Sequence, residues 1–165
     1  MTAKNQTKPN EPVIENRKAR HDYFIEETLE CGIELLGTEV KAVRMGRVSL
    51  GEGYVLAEGG DGRQRPTLTL RDVHIGEYPP AGAARQHAAI RERRLLAHKR
   101  EIRKLAHQTA AKGVTLVPLK MYFVRGRVKL LIGVARGKQK GDKRQAIAQR
   151  EHRRDMDRAM SRKRG

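Results

Sequence analysis

Groups able to do covalent or metal chemistry are few in this chain and poorly spaced. The histidines, His21, His74, His87, His98, His107 and His152, are scattered, and none stands at metal-ligand spacing with a second histidine and a carboxylate. On one helix, His98 and His107 would lie roughly 13–14 Å apart at the usual rise per residue. There is no GxSxG, P-loop or HExxH motif. Cys31, the single cysteine, falls among apolar residues and reads as core. A lone thiol leaves no intrachain disulfide and fits a reducing, cytoplasmic setting. The pattern argues against an enzyme, and neither cofactor nor metal is expected.

What the chain supplies in quantity is positive charge: 36 Lys/Arg against 19 Asp/Glu over 165 residues, a net of +17. The last 29 residues, Gly137–Gly165, hold 11 basic and 4 acidic residues, net +7. Residues 21–136 also carry +7, from 20 basic and 13 acidic residues over four times the length. The tail's apolar residues are Ile147, Met156, Met160 and some alanines. So little burial cannot offset chain entropy, so the tail alone should be disordered or weakly helical. A basic segment carried by a folded body points to a polyanion.

Two more basic elements stand in the body. One is Asn16-Arg17-Lys18-Ala19-Arg20-His21. The other is a helical segment whose Arg91, Arg93, Arg94, Lys99, Arg100, Arg103, Lys104 and Lys112 oppose only Glu92 and Glu101. Charge alone does not separate RNA, DNA and anionic membrane. The longest late apolar run, Leu130–Ala135, is too short to span a bilayer, so no membrane role is expected. The aromatics are Tyr23, Phe24, Tyr54, Tyr78, Tyr122 and Phe123, too few for a row of base-stacking platforms. Backbone and shape recognition of a folded RNA fits better.

These side chains need a scaffold, and the hydropathy pattern predicts one. Residues 1–13, with Pro9 and Pro12, read as a flexible arm; 14–136 is one folded body; 137–165 is the tail. From Tyr23 the pattern has period two: Tyr23, Ile25, Leu29, Cys31, Ile33 and Leu35 share one face, broken only by Glu27. Thr38 is expected to cap a short helix through Arg44. Gly53–Glu58 and Thr67–Ile75 are strands, the second with a bulge between Leu70 and Val73. Ile90–Lys112 is expected to be one long helix, with Leu95, Ile102, Leu105, Ala106 and Thr109 as its apolar stripe. Val114–Val124 and Arg127–Ala135 form a hairpin across Arg125-Gly126, Val117, Leu119, Met121 and Phe123 facing in. Pro118 belongs at an edge or bulge. The fold class is mainly β: an OB-like antiparallel β-barrel with flanking α-helices and a disordered basic C-terminal tail.

Several segments, in order and spacing, make the chain resemble a known family: NRKARHDYFIEETLECGIELLGTEVK (Asn16–Lys41), GYVLAE (Gly53–Glu58) and RRLLAHKREIRKL (Arg93–Leu105), then KGVTLVPLKMYF (Lys112–Phe123), KLLIGVARGK (Lys129–Lys138) and DKR (Asp142–Arg144). It is similar to the SsrA-binding (SmpB) family, which partners transfer-messenger RNA (tmRNA) in bacterial ribosome rescue. The resemblance implies a monomeric, nonenzymatic adaptor whose body holds the tRNA-like domain of tmRNA. That complex would occupy the empty A site of a stalled ribosome, and the tail would enter the vacant mRNA channel beside the small-subunit decoding centre and become helical there. It further implies that Glu30, Leu96 and His98 contact tmRNA, with Asn16, Arg17, Lys18, Arg20, His21, Lys99 and Arg100. In the tail, Lys138, Lys140, Gly141, Asp142, Lys143, Arg144, Ile147, Arg150 and Met160 would meet the ribosome. Two positions depart from the family pattern: Ala97 replaces a leucine beside the RNA surface, and Gly141 replaces a ring before DKR. The alternative is a ribosomal or ribosome-assembly protein whose OB barrel binds rRNA; a general RNA chaperone is disfavoured by the scarcity of aromatics.

Overall fold

In the computed structural model the described residues are 11–61, 63–139, 147–149, 151–156, 158 and 160. The elements are β1 (Ile14–Glu15), α1 (Arg17–Asp22), β2 (Tyr23–Ile33), α2 (Gly37–Arg44), β3 (Val48–Ser49), β4 (Tyr54–Glu58), β5 (Thr67–Arg71) and β6 (His74–Ile75). Two 3-10 turns follow, Pro79–Ala81 and Ala83–Arg85, and then β7 (Arg93–Leu96), α3 (Lys99–Thr109), β8 (Val114–Val124) and β9 (Arg127–Gly137). All pairings are antiparallel. The main sheet runs β1-β8-β4-β5-β7-β2-β9, and β8 also pairs with β9, so the hydrogen-bonded order returns on itself as in a small OB-like barrel. A two-residue ribbon, β3–β6, stands apart.

The interior is Leu, Val, Ile and Phe123 from every long strand, with Ile102 and Leu105 of α3 and Val43 of α2. A second apolar cluster, Ala19, Val117, Leu119 and Ala135 with Tyr23, Ile25 and Leu131 beside it, lies on the other face of the β2–β9–β8 sheet. Two irregularities create this division. The β2–β9 register shifts between Ile25 and Glu27, and the β8–β9 register between Pro118 and Lys120. An extra residue in a strand moves every later side chain to the opposite face. Ile25 therefore faces the second cluster while Leu29 and Cys31 face the main core, and Val117 and Leu119 likewise part from Met121 and Phe123. The single apolar face expected for each strand is thus two half-faces. Pro118 does sit at a bulge. Gly133 of β9 lies where the two strands crowd it, since a Cβ there would stand 2.8 Å from Leu119 Cδ1 and 3.0 Å from Ile25 Cγ2.

The expected helix over Ile90–Lys112 is corrected. Arg93–Leu96 is a strand, pairing through Leu70↔Arg93 on one side and Ile33↔Leu95 on the other, and α3 starts only at Lys99. Arg93 and Leu95 are buried and Arg94 and Leu96 exposed, the period of a strand. Glu101 marks the true helix start, since its carboxylate accepts from the His98 N–H at 2.8 Å. Residue Thr38 is not a cap: α2 begins at Gly37, Glu39 accepts from the Leu36 N–H, and the Thr38 hydroxyl meets His87 Nδ1 at 2.9 Å. The expected strand Thr67–Ile75 is divided at Asp72, whose φ of 54° interrupts pairing. Arg125 and Gly126, both at positive φ, make the tight β8–β9 turn.

One polar knot ties these elements. Glu39 and Arg93 are both fully buried, with Arg93 Nε donating to Glu39 Oε1 at 2.8 Å. Arg91 adds bonds of 2.9 and 2.6 Å to the two carboxylate oxygens. The rest of the Arg93 guanidinium donates to the carbonyls of Val73, Arg91 and Ala89. Burial pushes the Glu39 pKa up, but the donors Arg91, Leu36 N–H and Arg93 outweigh it, and the carboxyl is held below its ordinary range.

Removing one partner of such a pair leaves a buried charge, so Glu39→Ala is expected to cost about 3–5 kcal/mol in urea unfolding. Because the folded-state pKa is depressed, the stabilisation from Glu39 is complete above the unfolded carboxyl pKa of about 4.3 and is lost as pH falls through the folded value. Thermal melts taken down from about pH 5 should show an acid limb that Glu39→Gln flattens. An identical limb in that variant would place the effect elsewhere.

Candidate nucleic-acid interface

Where β2 ends, β7 meets α3 and β9 begins, the surface forms a shallow hollow lined by Glu30, Gly32, Leu96, Ala97, His98, Glu101 and Lys129. Register builds it. Gly32 pairs with Leu96 in one direction and with Lys129 in the other, so one strand position brings the three together. The glycine leaves room for a close approach, since a Cβ at Gly32 would lie 3.1 Å from Leu96 Cβ. Leu96 is accordingly turned out and 48 % exposed, although it is a large apolar residue. His98 occupies the cap position of α3, its ring exposed. Lys99 and Arg100 follow in the first helical turn, where the helix dipole is positive and cations are disfavoured unless an anion visits.

Glu30 stands exposed on the outer sheet face, and Tyr122 Oη donates to its Oε2. The Tyr122 phenol is pushed well above its usual pKa, by burial first and then by Glu30. Lys129, half-buried, lies on the same face, with no side-chain partner among the described residues. The hollow thus offers the Glu30 carboxylate, a second carboxylate in the helix-capping Glu101, an ammonium, an imidazole and an apolar side chain. That mixture suits a nucleotide with its donors, phosphate and ring. The pattern of the sequence did not point to Lys129 or Tyr122; cross-strand register alone brings them here.

Asn16, Arg17, Lys18, Arg20 and His21, expected in the same set, lie away from the hollow. Arg17–His21 belongs to α1, at the opposite end of β2. From Tyr23 to Glu30 the strand covers roughly 20 Å at about 3.3 Å per residue. Asn16 is 5 % exposed and spends its amide inside the protein, donating to Leu50 O at 3.0 Å and Pro118 O at 2.9 Å and accepting from the Ala19 N–H at 3.0 Å. These bonds anchor α1 and leave the Asn16 amide engaged within the protein. Lys18 pairs with Glu52 at 2.6 Å, and His21 Nδ1 is 3.0 Å from Asp22 Oδ1. Arg17 and Arg20 are exposed.

Lys138 begins the tail beside α1. Its N–H donates to Asp22 O at 2.9 Å, and its ammonium donates to Arg20 O at 3.2 Å and lies 4.9 Å from the Phe24 ring centre. Residues 147–149 and 151–156 of the tail are helical, with Ile147, Met156 and Met160 exposed. Lys140, Gly141, Asp142, Lys143, Arg144 and Arg150 lie outside the described residues.

The basic helix face is smaller than the sequence suggested. Arg91 and Arg93 are bound to Glu39, and Lys104 pairs with Glu27. Arg94, Lys99, Arg100, Arg103 and Lys112 remain exposed. Burial pushes the Cys31 thiol up to about 12, which leaves it protonated and unreactive. Among the described residues no three His, Cys, Asp or Glu are grouped to hold a metal ion, and no helix is long and apolar enough to cross a membrane.

An OB-like barrel with a mixed polar hollow at one end and a basic extension rooted at the other is the architecture of a small RNA-binding protein. Comparison with known proteins specifies which one. The profile of the SmpB protein family matches residues 13–162. An SsrA-binding protein of Roseiflexus sp. (strain RS-1) is 51 % identical over 148 residues, 90 % of each chain. That of Kineococcus radiotolerans is 48 % identical over 149 residues, 90 % of this chain and 91 % of the relative. A chain solved in work described as "tmRNA-SmpB: a journey to the center of the bacterial ribosome" superposes with a TM-score of 0.63 at 45 % identity, covering 82 % of this chain and 94 % of the other. This chain belongs to the SmpB family.

Proposed function

We propose that this chain is a nonenzymatic adaptor that binds the tRNA-like domain of tmRNA and delivers it to the empty A site of stalled ribosomes. The observation that carries the reading is the hollow itself: Glu30 lines one surface with Leu96 and His98, which lie far along the chain from it. Lys99 and Arg100 adjoin it and neutralise phosphate. The names of the relatives and the ribosomal setting of the structural neighbour support the same partners. Arg17 and Arg20 act with the tail rather than with the hollow, because α1 and the root of the tail are bonded to one another. The tail probes the vacant mRNA channel, its basic residues along rRNA phosphates. The protein works in the cytoplasm as a monomer, without cofactor.

Sequencing the RNA that co-purifies with the protein tests the reading most directly, and one dominant tRNA-like species is expected. A spread of unrelated RNAs would instead favour a general chaperone. Glu30→Ala raises the net charge yet should weaken binding to the tRNA-like domain; unchanged affinity would reduce Glu30 to a surface carboxylate. Lys129→Ala should lower the slope of log affinity against log salt by about one phosphate contact.

Gly137 pairs with Tyr23, and the Lys138 N–H bonds to Asp22, so a tail deletion that spares the barrel must begin after Gln139. That truncation should leave tmRNA affinity within a few-fold while abolishing peptide tagging on stalled ribosomes. Full tagging by the truncated protein would sink the proposed role of the tail.

A further inference from the structure

Tyr122 is 8 % exposed and offers a ligand almost no surface. Its phenol nevertheless reaches Glu30, an exposed carboxylate two strands away. Glu30 of β2 is paired with Leu131 of β9, and Tyr122 of β8 with Lys129 of β9, so the bond spans the central strand on its outer face. We propose that Tyr122 is a positioning residue for RNA recognition. It holds one oxygen of Glu30, and the other is presented to a hydrogen-bond donor on the RNA, an exocyclic base amine or a ribose hydroxyl. The proposal rests on the reading of the hollow given above and deepens it.

The two groups need this bond unequally. A surface glutamate is served by water and has no use for a partner. A free one must give up its rotamer freedom when RNA binds, and a carboxylate already fixed has much less to lose. The phenol is buried and requires an acceptor. Its raised pKa keeps it protonated, so it donates to Glu30 across the neutral range. Glu30 Oε1 takes no hydrogen bond among the described residues. A carboxylate repels phosphate and accepts only from donors, so it cannot contribute to general attraction for RNA. That attraction falls to Lys129, Lys99 and Arg100. Tyr122 therefore governs selectivity and leaves bulk affinity alone.

The test is a double-mutant cycle in the full-length protein with Tyr122→Phe, Glu30→Gln and both together. Each protein is titrated with a transcribed tRNA-like domain of tmRNA and with a linear RNA of equal length. Tyr122→Phe should weaken the tRNA-like domain by about three- to tenfold, the cost of ordering one freed side chain. Glu30→Gln should weaken it at least as much, and the double variant no more than Glu30→Gln. Affinity for linear RNA, and its salt slope, should stay unchanged in Tyr122→Phe and should not fall in the two variants that lose the Glu30 carboxylate. A merely structural tyrosine would weaken both RNAs and compound the loss in the double variant, which overturns the proposal. Wild-type selectivity in Tyr122→Phe, with Glu30→Gln impaired, overturns it as well. Wild-type binding by Glu30→Gln overturns the reading of the hollow, and the proposal with it. Should Tyr122→Phe melt early, Glu30→Asp draws the carboxylate back from the phenol without touching the buried ring. It must show the same selective loss, and full selectivity there also overturns the proposal.

Discussion

The buried pair of Glu39 and Arg93 is the constraint on which the arrangement of this protein depends. Two full charges leave water together, which is tolerable only if every donor and acceptor finds a partner. Glu39 takes bonds from Arg93, Arg91 and the Leu36 amide, and Arg93 donates to three carbonyls besides. Those partners come from the start of α2, the segment after β5 and the approach to β7. Satisfying one pair of charges therefore fixes where β7 runs. Because β7 carries Leu96 into the hollow and leads directly to His98 at the start of α3, the interior pair sets the surface site. Arg93 and Leu96 are only three residues apart, one facing the barrel and the other the solvent.

The two bulges do comparable work for the other end. By reversing the facing of β2 and β8 midway, they give the sheet a second apolar surface against which α1 can pack through Ala19. Without that reversal, Ile25 and Leu119 would point into an already filled interior. Asn16 completes the attachment by joining α1 to the carbonyls of Leu50 and Pro118. The basic residues of α1 are held beside the root of the tail as a result, and away from the hollow.

Much of this was legible in the sequence, and the failures share a cause. The long strand from Tyr23 and the hairpin across Arg125-Gly126 follow from local periodicity and turn chemistry, both of which act between near neighbours. Arg93–Leu96 was misread because two arginines and two leucines fit a helical stripe as well as a short strand. What decided the matter was pairing to Leu70 and Ile33, far away in the chain. Full burial of Arg93 was equally hidden, since an arginine is buried only with a partner and Glu39 lies 54 residues earlier. Glu30, Leu96 and His98, named through family resemblance, do line one hollow, while the placing of Lys129 beside them and of Tyr122 against Glu30 comes from cross-strand register, which leaves no mark on composition. The burial of Asn16 was hidden too, since its basic neighbours give no sign that its amide bonds to Leu50 and Pro118, far along the chain.

Strand β2 has the hollow near one end and the root of the tail at the other, with no hinge between them. It therefore works as a ruler. The root of the tail is pinned at Lys138 to Asp22 and Arg20. The 26 residues beyond Gln139 would extend about 40 Å if wholly helical. On the proposed reading, β2 holds a partner at the hollow and the root of the tail about one strand length apart by covalent geometry. Such a molecule measures as well as binds: two surfaces can be engaged together only when they lie the right distance apart.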